Sequence, residues 1–427
     1  MRILQITAGA ANMYCGSCIR DNNLARELMR MGHDVTLVPL YTPTLTDEEN
    51  VSSGRIFFGG ISVYLQQKSA LFRKTPRFLD RLWDSAKVIR IATSGSIQTS
   101  PRDLGELTVS TLRGVEGHLR KEFDKFLEWA ETQPGPDVVV VPYTLLVALA
   151  KPLREALQRP VICGLQGEDL FLEGLQEPWR TQCLDLIRAQ VQHVDLFTPL
   201  CDFYARLMSS YLDIPREKME VHPLGISLDG YAPRVKALTG PLKIGYFARV
   251  APEKGLHVLA ESYRLIEREA PGAAVMEAAG YLGPEFRGYL KECQRIAPFT
   301  YHGTLDREAK QKFLSEIDVL SVPSPYADPK GTYLLEAMAA GTPFVQPRHG
   351  AFPEIAEKTG GGVLVEGAEP RAIADGILML IRNRERVREL AAAGLEGVRR
   401  EYSLEKSAAR AIEIYSRVTR PDRMVAA

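Results

Sequence analysis

Cysteine is scarce in this sequence, neither sign of charge is in excess, and long apolar runs are missing. Six cysteines in 427 residues are too few for a disulfide framework. Lys plus Arg and Asp plus Glu both number 53, so the net charge gives no global attraction to nucleic acid or to an anionic membrane. No apolar run reaches the roughly eighteen residues of a spanning helix, and the N-terminus lacks the pattern of a secretory signal. We therefore expect a cytoplasmic protein without a nucleic-acid partner.

The pattern that is present is an alternation of short apolar runs with amphipathic helical segments. The run RILQIT (2–7) precedes a segment whose Leu24, Leu28 and Met31 share one helical face. This alternation predicts an α/β fold, here two Rossmann-like, doubly wound parallel-sheet domains in tandem with a cleft between them. The predicted strands are 2–7, 35–40, 138–143, 161–166 and 194–199, followed by 243–249, 273–280, 299–303, 319–324, 342–347 and 361–366.

The alternation breaks at LDGYAPRVKALTGPLK (228–243), a stretch of Pro, Gly and Lys that indicates a linker. The segment 44–135 is less regular and is interpreted as an insertion with a hairpin near 57–65 and long polar helices. The expected parts are an N-terminal domain over 1–235, a C-terminal domain over 236–405, and a helix over 406–427 that packs back on the N-terminal domain.

The stretch PSPYADPKGTYLLEAMAAGTP (323–343) has two acids eight positions apart, Asp328 and Glu336. It follows the predicted strand 319–324, so its loop lies at the carboxyl edge of the sheet, where such folds bind ligands. A helix predicted to begin near Thr332 directs free amide groups to the same place, which suits a phosphate. Glu336 lies about one turn inside this helix, and a carboxylate there can accept hydrogen bonds from a sugar diol. The alternative is that both acids only favour the helix start.

Two cations point to the same edge of the sheet. In YFARVAPEKGLHVL (246–259), Arg249 ends the first strand of the C-terminal domain and Lys254 precedes the next helix. Two cations and a helix N-terminus can hold a diphosphate without a metal ion. The alternative is a solvated loop in which Lys254 lies near Glu253.

At this point the chain resembles the retaining GT-B glycosyltransferases of the family-four, group-1 type over nearly its whole length. The matching pieces, in family order, are TAGAANMYCGS, MGHDVTLV, LQGEDLF, VHPLGISLDGY, R-x4-KG, YHGTL and the acid-x7-acid helix with EAMAAGTP. The resemblance implies a nucleotide-diphosphate sugar as donor, bound by the C-terminal domain, and an acceptor bound by the N-terminal domain. It also implies a front-face reaction with retention, in which the leaving phosphate helps to deprotonate the acceptor. No metal and no cofactor besides the donor is then expected.

The resemblance also implies roles for particular residues. Arg249 and Lys254 would contact the diphosphate, Glu336 the ribose, and Asp328 the donor sugar, and these four are the candidate catalytic residues. The candidate donor- and acceptor-binding residues are Gly9 and Gly16 of the first loop, Gln166 and Asp169 of the LQGEDLF loop, and Gly331, Thr332, Tyr333 and Leu334 at the helix start.

Two positions depart from the family pattern. The first acid is normally Glu in an E-G-F-G loop, whereas here it is Asp328 in D-P-K-G, one methylene shorter and followed by the stiff Pro329. The N-terminal loop that often reads H-G-x-D begins here with Gln166, which can hydrogen-bond a hydroxyl but cannot titrate. These changes leave open an unusual donor sugar. They also leave open a non-catalytic nucleotide-sugar-binding protein, or a GT-B epimerase or hydrolase.

Two further features have competing interpretations. Cys15 and Cys18 in YCGSC are spaced like a redox pair or half a metal site, but a structural loop is favoured because no second close pair exists. The basic and aromatic stretch LFRKTPRFLDRLW (71–83) is favoured as a solvated insertion over a surface that binds an anionic acceptor or gives peripheral membrane contact through 68–91. The donor base, the sugar and the acceptor, whether carbohydrate, lipid or small molecule, are not readable from the sequence.

Overall fold

The computed structural model describes residues 1–9, 16–44, 46, 48–58, 63, 66, 101–232 and 239–420. The chain divides into two compact units. The first draws on Met1–Leu200, Tyr204–Pro223 and Ala408–Ala427, and the second on Cys201–Phe203 and Leu224–Ser407. The main division thus falls before the predicted linker, part of which (233–238) lies outside the described residues.

The first unit contains a five-stranded parallel sheet of order β2-β1-β3-β4-β5. Its strands are β1 (Arg2–Thr7), β2 (Asp34–Pro39), β3 (Val138–Val141), β4 (Val161–Leu165) and β5 (Leu196–Pro199). All residues of β3 and β4 are buried, as expected for parallel strands that are covered on both faces. The chain order reverses between β1 and β3, which places the topological switch point of this sheet there.

The helices of the first unit follow the amphipathic segments. They are α1 (Gly16–Arg30), α2 (Pro101–Leu112), α3 (Arg120–Glu131), α4 (Ala150–Leu157), α5 (Asp169–Glu173), α6 (Trp179–Gln190) and most of α7 (Asp202–Leu212). One hydrophobic core joins Ile3 and Val35 of the sheet, Leu24 and Leu28 of α1, and the C-terminal segment through Ile414. The last residues of the described chain are therefore part of this unit.

The second unit contains a six-stranded parallel sheet of order β11-β10-β9-β6-β7-β8. Its strands are β6 (Leu242–Phe247), β7 (Ala274–Ala279), β8 (Thr300–Tyr301), β9 (Val319–Leu320), β10 (Phe344–Pro347) and β11 (Gly362–Val365). Its helices are α8 (Leu256–Glu269), α9 (Arg287–Ile296), α10 (Arg307–Glu316), α11 (Thr332–Ala339), α12 (Phe352–Thr359), α13 (Pro370–Arg382), α14 (Arg384–Glu401) and the start of α15 (Leu404–Val418). The switch point of this sheet lies between β6 and β9.

The structure confirms a strand within each of the predicted strand segments, but β9 is shorter than predicted. The predicted strand 319–324 forms ladder structure only at Val319–Leu320. Beyond it, the side chain of Gln346 accepts a hydrogen bond from Val322 N (2.8 Å) and donates one to Val322 O (2.9 Å). The buried side-chain amide of Gln346 thus makes the two hydrogen bonds to Val322 that backbone groups of the neighbouring strand β10 would otherwise make.

The helices predicted within the insertion 44–135 are present as α2 and α3, whereas the predicted hairpin is not seen at the described positions. Of the hairpin expected near 57–65, residues 59–62, 64 and 65 lie outside the described residues. At the described positions no strand is present, because Phe57 and Phe58 form a bend and Val63 is helical. The rings of Phe57 and Phe58 pack edge-on against Phe126 and Phe123 of α3, so they belong to the core. The basic stretch 71–83 and residues 68–91 lie outside the described residues. Within the described part of the chain, no helix combines the length and the apolarity needed to cross a membrane.

Candidate functional site

The candidate residues of the second unit lie at the switch point of its sheet. Arg249 and Lys254 follow β6, and Asp328 follows β9, the strand that pairs in parallel with β6. The loops after these strands are joined, because Ser324 Oγ donates a hydrogen bond to Glu253 O at 2.7 Å. From these two neighbouring strands the chain continues in opposite directions along the sheet, β6 to β7 and β9 to β10, and this is the position where doubly wound sheets bind ligands.

Lys254 and Asp328 form an ion pair at this edge. The distance from Lys254 Nζ to Asp328 Oδ2 is 2.5 Å, and the side chains are 19% and 3% exposed. Lys330 N donates to the other carboxylate oxygen at 2.9 Å, and the Tyr333 hydroxyl donates to Oδ2 at 3.3 Å. The ammonium also lies 5.8 Å from the centre of the Tyr333 ring. Asp328 is therefore held by three donors, and it in turn fixes the position of the Lys254 charge.

These contacts set the charge of the pair. Burial by itself would raise the pKa of Asp328, but the Lys254 ammonium and the hydrogen bonds from Lys254 and Lys330 outweigh burial, so the pKa lies below its usual value. Burial, with the Asp328 charge nearby, raises the pKa of Tyr333 well above its usual value. Tyr333 thus keeps its proton and remains a hydrogen-bond donor to the ionised carboxylate.

Helix α11 begins directly beside this pair. Gly331 caps it with a left-handed backbone (φ 60°), and a side chain there would come within 2.8 Å of Ile355 Cδ1. The first amide groups of a helix have no acceptor within it, so those of Thr332 and Tyr333 are available to an anion. Leu334 is instead engaged, since its N–H donates to Gly331 O at 2.9 Å. The predicted helix start at Thr332 is confirmed.

Glu336 lies further along α11 and has a cationic partner. Lys310 Nζ, on α10, donates to Glu336 Oε1 at 2.8 Å, and the side chains are 13% and 16% exposed. Four candidate residues therefore follow one another along a single loop and the helix α11 after it. They are Asp328, Gly331, Thr332 and Glu336. It adds Lys310 as a residue that the sequence interpretation did not include.

Arg249 is more exposed to solvent than Lys254 and has a different ion-pair partner. Its side chain is about half exposed and forms an ion pair with Glu253. The alternative of a solvated loop with Lys254 near Glu253 does not describe Lys254, whose side chain is mostly buried and pairs with Asp328. An anion at this edge would compete with Glu253 for the Arg249 guanidinium.

In the first unit, the two candidate glycines have unlike surroundings. Gly9 follows β1 at the switch point with φ 76°, and a Cβ there would lie 1.8 Å from Thr42 O. Only glycine permits this close approach of two backbones. Gly16 begins α1, and a Cβ there would meet nothing within 4 Å. Residues 10–15 between them, including Cys15, lie outside the described residues, and Cys18 is buried.

Gln166 and Asp169 lie in a buried, hydrogen-bonded loop after β4. Gln166 Nε2 donates to Pro142 O at 2.8 Å, and Gln166 N donates to Glu168 Oε2 at 2.7 Å. The Tyr204 hydroxyl donates to Asp169 Oδ1 at 2.8 Å and accepts from Gly167 N at 2.9 Å. Burial raises the pKa of Glu168, although hydrogen bonds from Thr144 and from the loop's own amides oppose it. Both candidates therefore belong to a fixed polar network.

Residues that the sequence interpretation missed include Lys310, Tyr204 and Glu168. Glu168 lies inside the quoted LQGEDLF motif, so the motif was the available signal. Lys310 and Tyr204 are 26 and 35 positions from the acids they contact. No spacing rule in the sequence connects residues at such separations.

Two family models cover most of the chain. The model described as "Glycosyl transferases group 1" matches residues 232–396, and the "Glycosyl transferase 4-like domain" matches residues 20–225. The chain is 32% identical over 189 residues to the putative colanic acid biosynthesis glycosyltransferase WcaL of Escherichia coli, covering 42% of this chain and 46% of that protein. It is 28% identical over 259 residues to the amylovoran biosynthesis glycosyltransferase AmsK of Erwinia amylovora, covering 57% and 61%. The chain thus spans about half the length of these curated relatives.

A solved structure shares the architecture. Alr3699/HepE of Anabaena, in complex with UDP and glucose, has a TM-score of 0.65 at 15% identity over 97% of this chain and 99% of that chain. The fold is therefore GT-B, with two parallel-sheet α/β domains. Together with both family models, this places the chain in the group-1 glycosyltransferase family.

Proposed function

We propose that this chain transfers a sugar from a nucleotide-diphosphate sugar to an acceptor, with retention of anomeric configuration. The observation that carries the proposal is the arrangement around Lys254. A fixed ammonium, an ionised Asp328 and the free amides of a helix N-terminus lie together at the switch point of the second sheet. Family membership and the relatives named above support glycosyl transfer, and the UDP and glucose bound by HepE support the choice of donor class.

In this proposal the diphosphate lies at the start of α11. The amides of Thr332 and Tyr333 and the Lys254 ammonium supply positive charge to it, and Arg249 adds a second cation when it leaves Glu253. As the bond between the anomeric carbon and the phosphate oxygen breaks, these groups stabilise the charge on the leaving diphosphate. The new bond forms to an acceptor oxygen, whose proton passes to the departing phosphate. We propose that these groups act without a divalent metal.

Binding is tested first, by thermal shift of the wild-type chain with UDP, GDP, ADP and CDP, and with UDP-glucose and GDP-mannose. A ligand that binds only the native state raises its stability by mass action. We expect at least one diphosphate and its sugar to raise the melting temperature. If none of them does, the donor assignment is wrong.

Catalysis is then tested with the donor that binds, against carbohydrate and lipid acceptors. Mass spectrometry detects the product, and the anomeric coupling in its proton NMR spectrum reports retention or inversion. Binding with no turnover supports the non-catalytic alternative, and release of free or epimerised sugar supports a hydrolase or an epimerase. Loss of activity with EDTA that magnesium or manganese restores would contradict the metal-free proposal.

A further inference from the structure

We propose that Lys310 is a ribose-binding residue, which together with Glu336 forms a clamp for the vicinal diol of the nucleoside. This inference rests on the proposed function, because it concerns the nucleotide of the proposed donor. It assigns to Lys310 the selection of ribonucleotides over their deoxy analogues.

The pair is well placed for such a role because its geometry is constrained. Lys310 Nζ and Glu336 Oε1 are 2.8 Å apart, and both side chains are mostly buried. Helix α10, which bears Lys310, is fixed by the Thr342 hydroxyl, which donates to Leu314 O at 2.6 Å and to Ile317 O at 3.1 Å. Thr342 follows α11 closely, so the two helices that carry the pair are held against each other.

The chemistry of a diol matches this pair better than it matches a carboxylate alone. A carboxylate only accepts hydrogen bonds and an ammonium only donates them, whereas each hydroxyl of a diol does both. In the part of the chain that the structure describes, Glu336 Oε2 receives no hydrogen bond. It can accept from one hydroxyl, while the Lys310 ammonium donates to a diol oxygen. The pair then satisfies donor and acceptor positions of the diol at once.

The position of the pair along α11 fits the same ligand. Glu336 lies four residues after Thr332, which is a rise of about 6 Å along the helix. A phosphate at the helix N-terminus and a ribose at Glu336 would be separated by one helical turn. Within a nucleotide these two groups are joined by only a few covalent bonds, so a single ligand can reach both.

Two other roles for Lys310 make different predictions. As a structural ion pair it would affect folding and leave ligand choice unchanged. As a distant charge it would attract the diphosphate whether or not the diol is present. Only in the clamp does the effect of replacing Lys310 depend on whether the ligand carries the diol hydroxyl groups.

The experiment is isothermal calorimetry with the tightest-binding of UDP, GDP, ADP and CDP, and with its 2′,3′-dideoxy analogue. The variants are Lys310→Met, Lys310→Arg and Glu336→Gln. The matched control is Lys312→Met, since Lys312 is exposed on the same helix. Circular dichroism checks that each variant is folded, and Lys310→Arg keeps the charge and the donors should Lys310→Met fail to fold.

We expect Lys310→Met to weaken binding of the ribonucleotide about tenfold and binding of the dideoxy analogue less than about twofold, as for a lost hydrogen bond to a ligand. Lys310→Arg should retain most of the preference for the diol, and Lys312→Met should change neither affinity. Equal losses for both ligands, or no loss for either, would overturn the clamp while leaving nucleotide binding intact. If the wild-type chain binds none of the four diphosphates, the proposed function fails and this inference fails with it.

Discussion

Lys254 and Asp328 are 74 positions apart in the chain, yet the ammonium and the carboxylate lie 2.5 Å apart at the ends of the neighbouring strands β6 and β9. Asp328 is almost fully buried and Lys254 is mostly buried. A buried carboxylate that loses its ion-pair partner keeps the cost of desolvation without most of the attraction that offset it. We therefore expect replacement of either residue to change both the stability of the fold and the binding of ligand.

We expect Lys254→Met to destabilise the second unit by about 3 kcal/mol at pH 7, as is typical when one partner of a buried pair is removed. In the wild-type chain the pKa of Asp328 is lowered, so the pair stabilises the fold above the unfolded pKa of Asp, and that contribution is lost as pH falls through the folded pKa. In the variant, burial would raise the pKa of Asp328, and protonation would remove the unpaired charge. The stability deficit should therefore be larger at pH 7 than near pH 4, as measured by urea denaturation followed by circular dichroism.

The double variant Lys254→Met/Asp328→Asn is the control for this prediction. Because it removes both charges, it should recover part of the stability lost in Lys254→Met at pH 7. If the double variant is no more stable than the single one, the loss comes from packing of the lysine stem and the electrostatic argument is wrong.

The order of strands and helices was predictable because its causes are local. The apolar runs, the glycines and the amphipathic spacing specify β1, β6 and the start of α11 within a few residues. The partner of Lys254 was not predictable in this way. Glu253 lies next to Lys254 but pairs with Arg249 at the local i,i+4 spacing, whereas Lys254 pairs with Asp328 in the loop after another strand. The Lys254–Asp328 pair depends on which loops the sheet order brings together, and no rule of sequence spacing contains that information.

Replacement of Arg249 should separate ligand binding from stability. Arg249 is about half exposed and pairs with Glu253, so Arg249→Met should change stability by less than about 1 kcal/mol. If Arg249 contacts the diphosphate, the same change should weaken binding of the nucleoside diphosphate about tenfold or more, as for a lost charge-assisted hydrogen bond. The plain nucleoside should be unaffected. Calorimetry with both ligands makes the comparison, and equal losses would argue against a phosphate contact.

Replacement by alanine should destabilise the protein at Gly9 but have little effect at Gly16. Gly9→Ala places a Cβ 1.8 Å from Thr42 O at a positive φ, so we expect a loss of at least about 2 kcal/mol. Gly16→Ala meets open space and should stay within about 1 kcal/mol of the wild type. All three tryptophans, Trp83, Trp129 and Trp179, precede residue 200, so tryptophan fluorescence during urea denaturation reports on the first unit. Similar midpoints for the two variants would contradict the assigned geometry.

Tyr204→Phe should weaken the polar network behind Gln166. The hydroxyl both donates to Asp169 and accepts from Gly167 N, so its loss removes two hydrogen bonds from a buried network. We expect a destabilisation of about 1–3 kcal/mol, seen as a lower midpoint in tryptophan fluorescence. Tyr211→Phe is a useful control, because the Tyr211 hydroxyl contacts the exposed Glu173 and its loss should cost less. If both variants lose equal stability, the buried network contributes no more than a surface contact.

Asp328→Asn tests whether this acid acts at the sugar or at the diphosphate. The amide oxygen can still accept a hydrogen bond from Lys254, but the loss of the carboxylate charge removes both the ionic attraction that fixes Lys254 and a repulsion toward phosphate. Because these effects oppose each other, the affinity for a bare nucleoside diphosphate should stay within about threefold of the wild type. If Asp328 contacts the donor sugar, affinity for the diphosphate-sugar should fall further, and transfer should fall or change its sugar preference. Calorimetry with both ligands, beside a transfer assay, gives the comparison, with Asp375→Asn on the exposed face of α13 as the matched control. A loss of bare diphosphate affinity as large as that in Lys254→Met would show that Asp328 acts only by positioning Lys254.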